Sequence, residues 1–290
     1  MSRVAIVTDS TASLPGPMYE QYQIAKVPYY VHVADQVLRD TVDVSTAEFC
    51  EYLSGLPDDG RLPTTACPGP GDYLEAFVAA ARRARAIVSL HMTSIGSGAY
   101  QAAQLGREMA LERLRDVDIT VIDTRNVSMC QGWLSLQAAR AALDGASLSD
   151  VVELVRRLMP RTRMLQTADT LRYLYMGGRI GRAKHLVASV LNIRPIVSME
   201  DGEITAPGIA RSRSASLQRI ATLVEKAVGL GQRARIALTH AAALADAEDL
   251  RARLARVIEP VEVLMCELSP ALTVHSGPGT VGVCYLAERD

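Results

Sequence analysis

Two helical patterns, a glycine corner and an apolar strand are compressed into residues 171–197, LRYLYMGGRIGRAKHLVASVLNIRPIV, and any fold for this chain must accommodate that corner. Leu171, Leu174 and Tyr175 stand at i, i+3 and i+4, so they mark one face of a short helix. Gly177 and Gly178 permit the left-handed backbone that ends it, which leaves Arg179 held out on a turn. After Gly181 a second helix carries Ala183, Leu186, Val187 and Val190 inward, and Leu191 to Val197 reads as a strand interrupted by Pro195. Taken alone, such a corner is a helix-turn-helix packing element.

Upstream of the corner, short apolar strands alternate with amphipathic helices. Val4–Val7 is an all-apolar run of the kind buried in a parallel sheet, and it leads into Asp9, Ser10, Thr11 and Ser13. In open α/β sheets ligands gather at the strands' carboxyl ends, although Ser13 and Pro15 equally suit a helix cap and a first-turn proline. Ile24–Val33 is a second β-rich segment, and Ser45 with Glu48 forms a capping box before a helix reaching Leu53. Residues 65–84 pass from a hydroxyl and a Pro/Gly loop into a helix whose first turn holds Asp72. Such a loop offers unpaired backbone N–H groups to an anion, and it equally suits an ordinary loop-helix junction.

Ala86–Leu90 is the next buried strand, followed by a Gly/Ser loop and a helix. Gly96 and Gly98 supply half of a dinucleotide fingerprint, but Gln101 occupies the place of the third glycine and no P-loop lysine follows. Ser97 and the N–H groups of Gly98 and its neighbours suit one carboxylate better than a pyrophosphate. Ile119–Asp123 is another strand, a helix runs from about 128 to 143, and a further helix from Ser147 to Met159 is broken by Pro160. A boundary there divides the chain into residues 1–162 and 163–290, in keeping with about 150 residues per domain. The first part reads as a three-layer α/β domain with a mainly parallel sheet. The second reads as a mixed α/β domain: a hairpin turning at Asp201-Gly202, then two helices interleaved with strands at 235–240, 261–267 and 280–287.

An apolar fraction of 49% against 22% charged residues is enough to bury a large core. Aromatics make up 4% and the net charge is −1, which removes both the stacking platforms and the basic field that nucleic acids require. The amino-terminal MSRVAIVTDS turns polar after four apolar residues, so it is neither a signal peptide nor a spanning helix, and a cytoplasmic protein is expected. Cys50, Cys67, Cys130, Cys266 and Cys284 form no CxxC pair and the five histidines show no ligand spacing, so reduced thiols and no metal are expected.

The segments GGRIG, LNIRPI and DGEI (residues 177–181, 191–196 and 201–204) together resemble the signature of the DegV family, bacterial proteins that bind a fatty acid. Family members also begin with a similar DS after the first strand, which puts Asp9 and Ser10 in a supporting position on the site side. TSIGSGAY (93–100) is similar to the family's SSxLSGTY, with Gly96 and Ala99 departing from it, and HSGPG (275–279) is similar to HTGPG. Thr65 falls where the family has its ligand-binding threonine, while Ala66 and Cys67 depart from the usual residues.

The resemblance implies that Thr65, Ser97, Gly98 and His275, supported by Gly277, hold the carboxylate of a long-chain fatty acid in a cleft between the domains, with no other cofactor. It implies presentation of that acid to a partner fatty acid kinase, for phosphorylation to acyl phosphate, with Arg179 as the kinase contact. No stable membrane insertion is expected, at most a transient contact. A basic pair, Arg211 and Arg213, is expected to be solvated. The competing class is a serine-dependent acyl hydrolase or transferase using Ser97 and His275 with Asp9 or Asp123, although no G-x-S-x-G elbow surrounds Ser97.

Overall fold

The structure, a computed structural model, describes residues 4–57, 61–186 and 193–288. In chain order the elements are β1 (Val4–Asp9), α1 (Gly16–Gln21), β2 (Ile24–Val27), β3 (Tyr30–Val33), β4 (Gln36–Arg39), α2 (Thr46–Ser54), β5 (Thr64–Ala66), α3 (Pro70–Ala81), β6 (Ala86–His91), α4 (Ala99–Arg113), β7 (Asp118–Asp123), α5 (Met129–Leu143) and α6 (Leu148–Leu158). There follow β8 (Thr162–Thr167), α7 (Arg172–Met176), β9 (Arg194–Glu200), β10 (Glu203–Ala210), α8 (Arg213–Val228), β11 (Arg233–His240), α9 (Leu244–Leu254), β12 (Glu259–Glu267), α10 (Pro270–Ser276) and β13 (Val281–Ala287).

The first sheet is parallel throughout, in the order β2-β1-β6-β7. Because side chains alternate across a strand, Ala5, Val7, Ile87 and Ile119 face α3 and α4, whereas Val4, Ile6, Val88 and Ile122 face α5 and α6. Three layers result, as the strand-helix alternation predicts. A small antiparallel sheet, β4-β3-β5, packs against α2 and α10 through Val31, Phe49, Leu53 and Val274. The larger sheet runs β10-β9-β8-β13-β11-β12 and is mixed, with only β11 and β12 parallel. Its outer face carries α8 and α9 on Leu165, Ile236, Val283 and Tyr285.

The inner face of that sheet turns toward the first one. Met164, Cys284 and Leu286 from it share one core cluster with Val4, Ile6 and Val88, and α5 lies between the two sheets. The sequence of α5 explains the placement: its apolar and small residues run all round rather than along one stripe, and Trp133, Leu134 and Leu136 are fully buried. Trp133 also donates Nε1–H to the carbonyl of Cys284 on β13 at 3.1 Å. Four of the five cysteines are buried in such surroundings, and all are free thiols.

Several local expectations are revised. Gly177 is right-handed; of that pair only Gly178 (φ +69°) is left-handed, and Gly181 (φ +56°) is left-handed two residues beyond Arg179. The described part of the following helix, Gly181–Leu186, is a 3-10 helix, and Val187 and Val190 lie outside the described residues. Pro195 does not interrupt its strand. It pairs with Ile209 on β10, and the ladder to β8 starts only at Ile196, so the proline stands beyond that ladder's end. Ser13 (φ 51°) ends a 3-10 turn capped by Asp9, rather than capping α1. The segment Ile24–Val33 divides into β2 and β3, which belong to different sheets.

Candidate functional site

The carboxyl ends of the parallel strands, together with β5, deliver the polar residues to one side of the first sheet. Thr65 lies in the middle of β5 and is held in register with Val31. His275 comes from the last turn of α10, which starts after Ser269 as a side-chain cap. The two meet across 210 positions of sequence, with Thr65 Oγ1 and His275 Nε2 at 2.9 Å. Ser97 sits just before α4, accepts from the backbone N–H of Ala99 at 3.3 Å, and lies 2.7 Å from the hydroxyl of Tyr29. Gly98 is the N-cap of α4, and a side chain there would press on the sulfur of Cys67 at 3.4 Å. Gly277 (φ +81°) is required twice over, since a Cβ there would overlap the ring of Tyr173.

Asp9 and Ser10 brace these loops without touching the three polar residues themselves. Asp9 is completely buried; it accepts from His91 Nδ1 at 2.9 Å, from Gln131 Nε2 at 3.1 Å and from the backbone of Thr11 at 3.1 Å. Ser89 stands 2.7 Å from the other ring nitrogen of His91. Ser10 donates to Asp40 and accepts from the N–H of Tyr29, while Asp40 also accepts from the N–H of Ala271 in the first turn of α10. The Ser10–Asp40 pair thus holds both Tyr29, which reaches Ser97, and the helix that carries His275.

Sequence reasoning missed Tyr29, Asp40 and His91. A lone aromatic or a lone aspartate carries no motif, and their partners come from elements far away in the chain. Arg213, expected in solvent, is instead half-buried: it bonds Asp246 at 2.8 Å and the carbonyl of Gly279, clamping the turn after His275. Arg211 is exposed, as expected.

The acyl-transfer triad is not assembled. Asp123 is engaged by Ser94 Oγ at 2.6 Å and by the N–H of Arg125 at 2.8 Å, Asp9 by His91, and Ser97 by Tyr29. Among the described residues His275 Nδ1 has no hydrogen-bond partner, so no carboxylate orients the ring. No group of three or more His, Cys, Asp or Glu side chains among the described residues could hold a metal.

His275 opens onto a cavity of about 440 Å³. Its wall is mostly apolar: Met92, Ile95 and Val127 come from the first sheet's loops, and Met164, Met199 and Leu272 from the second part of the chain. Arg179 also lines it; the side chain is exposed and donates to the carbonyl of Gly177 at 2.8 Å. The turn of the β9–β10 hairpin covers one side, where Thr93 Oγ1 donates to the carbonyl of Gly202 at 2.9 Å. Burial, reinforced by the Arg179 guanidinium, pushes His275 down to about 4, and burial pushes Asp40 up to about 6. At neutral pH the imidazole is therefore uncharged and has one N–H to donate.

These two values act in opposite directions on stability. A histidine whose value falls on folding contributes stability above its unfolded value near 6.5, and that contribution is lost as the pH drops toward 4; for His275 it amounts to about 3 kcal/mol. Asp40, raised on folding, contributes below about 4 and loses that contribution as the pH rises through about 6. The difference between the protein and a His275→Gln variant isolates the first effect. Their unfolding free energies, measured between pH 4 and 7, should show a steeper fall with acid in the unsubstituted chain, and parallel curves would refute the assignment.

The match to known proteins covers the same span as this architecture. The model of the family described as "Uncharacterised protein, DegV family" matches residues 3–288. The chain belongs to the DegV family. A DegV domain-containing protein from Streptomyces coelicolor is 34% identical over 286 residues, 98% of each chain. Among solved structures, a DegV family protein from Thermus thermophilus, described by its fatty acid binding, superposes with a TM-score of 0.90 at 27% identity, covering 99% of this chain and 100% of that one. DegV from Bacillus subtilis, described as a fatty acid binding protein, gives a TM-score of 0.85 at 26% identity, with coverage of 99% and 100%. The mixed α/β architecture is thus that of the DegV proteins.

Proposed function

We propose that this protein binds a long-chain fatty acid, with Thr65, Ser97, the N–H of Gly98 and His275 receiving the carboxylate and the apolar cavity receiving the chain. The observation that carries the reading is the contact of Thr65 with His275, whose ring lines a mainly apolar cavity. Burying about fifteen methylenes contributes roughly 12 kcal/mol gross, at about 0.8 kcal/mol each, before ordering and association costs. The charged end cannot enter such surroundings unpaired, and two hydroxyls, a backbone N–H and a neutral imidazole together match a carboxylate's lone pairs. The fatty acid binding of the Thermus thermophilus and Bacillus subtilis relatives supports the same reading. The cavity then lies between two domains, which we assign to residues 1–162 and 163–290.

The role we assign is that of a carrier rather than an enzyme: a cytoplasmic protein that presents the carboxyl group to a fatty acid kinase for conversion to acyl phosphate. Such a carrier keeps the tail covered and leaves the head within reach of a partner. The residue we assign to that partner is Arg179, which is exposed on the corner and borders the cavity. No helix among the described residues is long and apolar enough to cross a membrane.

Organic extraction of the purified protein followed by mass spectrometry should release a long-chain acid, and release of a nucleotide or of nothing would overturn the reading. The same extract from Arg179→Ala should contain the acid at close to the original amount, while acyl phosphate formation with a bacterial fatty acid kinase drops more than tenfold. Equal loss of the lipid would show that Arg179 instead holds the pocket together.

A further inference from the structure

A serine helps to hold an anion only when its proton points at the ligand, and Ser97 has a neighbour that settles that direction. The hydroxyl of Tyr29 lies 2.7 Å from Ser97 Oγ, and by distance alone either oxygen could supply the proton. The surroundings decide between them. Among the described residues Ser97 is the hydrogen-bond partner of the phenol and no second one stands beside it, so the phenol proton has nowhere else to go. Burial, reinforced by Asp9, pushes Tyr29 well above the ordinary tyrosine range, which keeps that proton in place.

Ser97 Oγ already accepts from the N–H of Ala99 at 3.3 Å. A second proton, from Tyr29, fills its remaining lone pair and leaves the serine only its own proton to offer. Cys67 is the other group beside Ser97, and a thiol is a weak acceptor that a carboxylate oxygen displaces. Ser97 itself is half-buried, between Gly96, which lines the cavity, and the exposed Gly98.

Tyr29 is held firmly enough to impose this arrangement. Its N–H donates to Ser10 Oγ at 3.0 Å and its carbonyl accepts from the N–H of Asp40 at 2.8 Å. Its ring is 4% exposed and belongs to the same apolar cluster as Ala99, at the start of α4, and Val274, next to His275.

Resting on the fatty-acid reading above, we propose that Tyr29 is a positioning residue of the head-group site: by donating to Ser97 Oγ it turns the Ser97 proton toward the ligand, and so selects a carboxylate over a neutral alcohol. A carboxylate needs that proton because it has none of its own. An alcohol brings its own donor, for which a serine with both lone pairs filled offers no acceptor.

The test is calorimetric binding of laurate and of 1-dodecanol to the delipidated full chain. Tyr29→Phe, which removes one oxygen, should weaken laurate about fivefold and leave dodecanol within about twofold or tighter. Ser97→Ala should cost laurate about tenfold in the unsubstituted chain but no more than about twofold in Tyr29→Phe, because the two hydroxyls act as a unit. A single cooperative thermal melt shows that each variant folds. A role in packing alone would weaken both ligands alike and make the two losses multiply. Either result, or unchanged laurate binding by Tyr29→Phe, overturns the inference while leaving fatty acid binding in place. A Ser97→Ala variant that binds laurate as well as the unsubstituted chain overturns it too, by removing Ser97 from the head group. Failure of both laurate and palmitate to bind the unsubstituted chain overturns the broader reading.

Discussion

Gly177→Ala should weaken fatty acid binding by at least tenfold while leaving the protein folded. Gly177 caps the end of α7 with right-handed backbone angles, so its backbone conformation is open to alanine. What alanine meets is the imidazole. A Cβ at this position would overlap Nδ1 of His275 and approach the carbonyl of Tyr173 at 2.9 Å. The ring must then turn away from Thr65, and the carboxylate proposed to sit there loses a hydrogen bond of the charge-assisted kind, worth about 1.5–3 kcal/mol. Calorimetric titration of the delipidated variant with palmitate measures the loss, and a single cooperative thermal melt separates it from misfolding. Unchanged affinity would mean that the imidazole does not hold the head group.

Asp9→Ala should be the most damaging single substitution in the first sheet, at about 3–5 kcal/mol of stability. The carboxylate is fully buried and accepts from His91, Gln131 and Thr11, and His91 is in turn paired with Ser89. Its removal leaves several buried groups with unmet hydrogen bonds at once. Urea unfolding followed by the fluorescence of Trp133, the one tryptophan, measures the change directly. A loss below about 1 kcal/mol would show that the network contributes little.

The alternation of short apolar runs with amphipathic helices made the first sheet legible, because strands buried on both faces have to be apolar throughout. The capping box of Ser45 and Glu48, observed in the structure, was legible for a similar reason: it is local chemistry. Strand β8 was not, since TRMLQT neither alternates nor runs apolar; its inward side chains meet a helix on one face and a cavity on the other. Helix α10 is only seven residues long and too short to show a period. Ser97 is legible from its Gly/Ser loop at a helix start, whereas the roles of Thr65 and His275 rest on family resemblance, and the contact of Thr65 with His275 is a tertiary fact. Tyr29 and Asp40, which hold those residues in position, have partners between 19 and 231 positions away, so no local pattern could expose them.

Helix α5 has a consequence for how such a chain can change over evolutionary time. Because both of its buried faces are claimed, by β1 on one side and by β8 and β13 on the other, neither half of the molecule owns a finished exterior where it faces the helix. Severing the chain between α6 and β8 would strand an oily wall on each fragment. Gene fission at that point therefore carries a cost in exposed apolar surface that proteins joined by loose tethers do not bear.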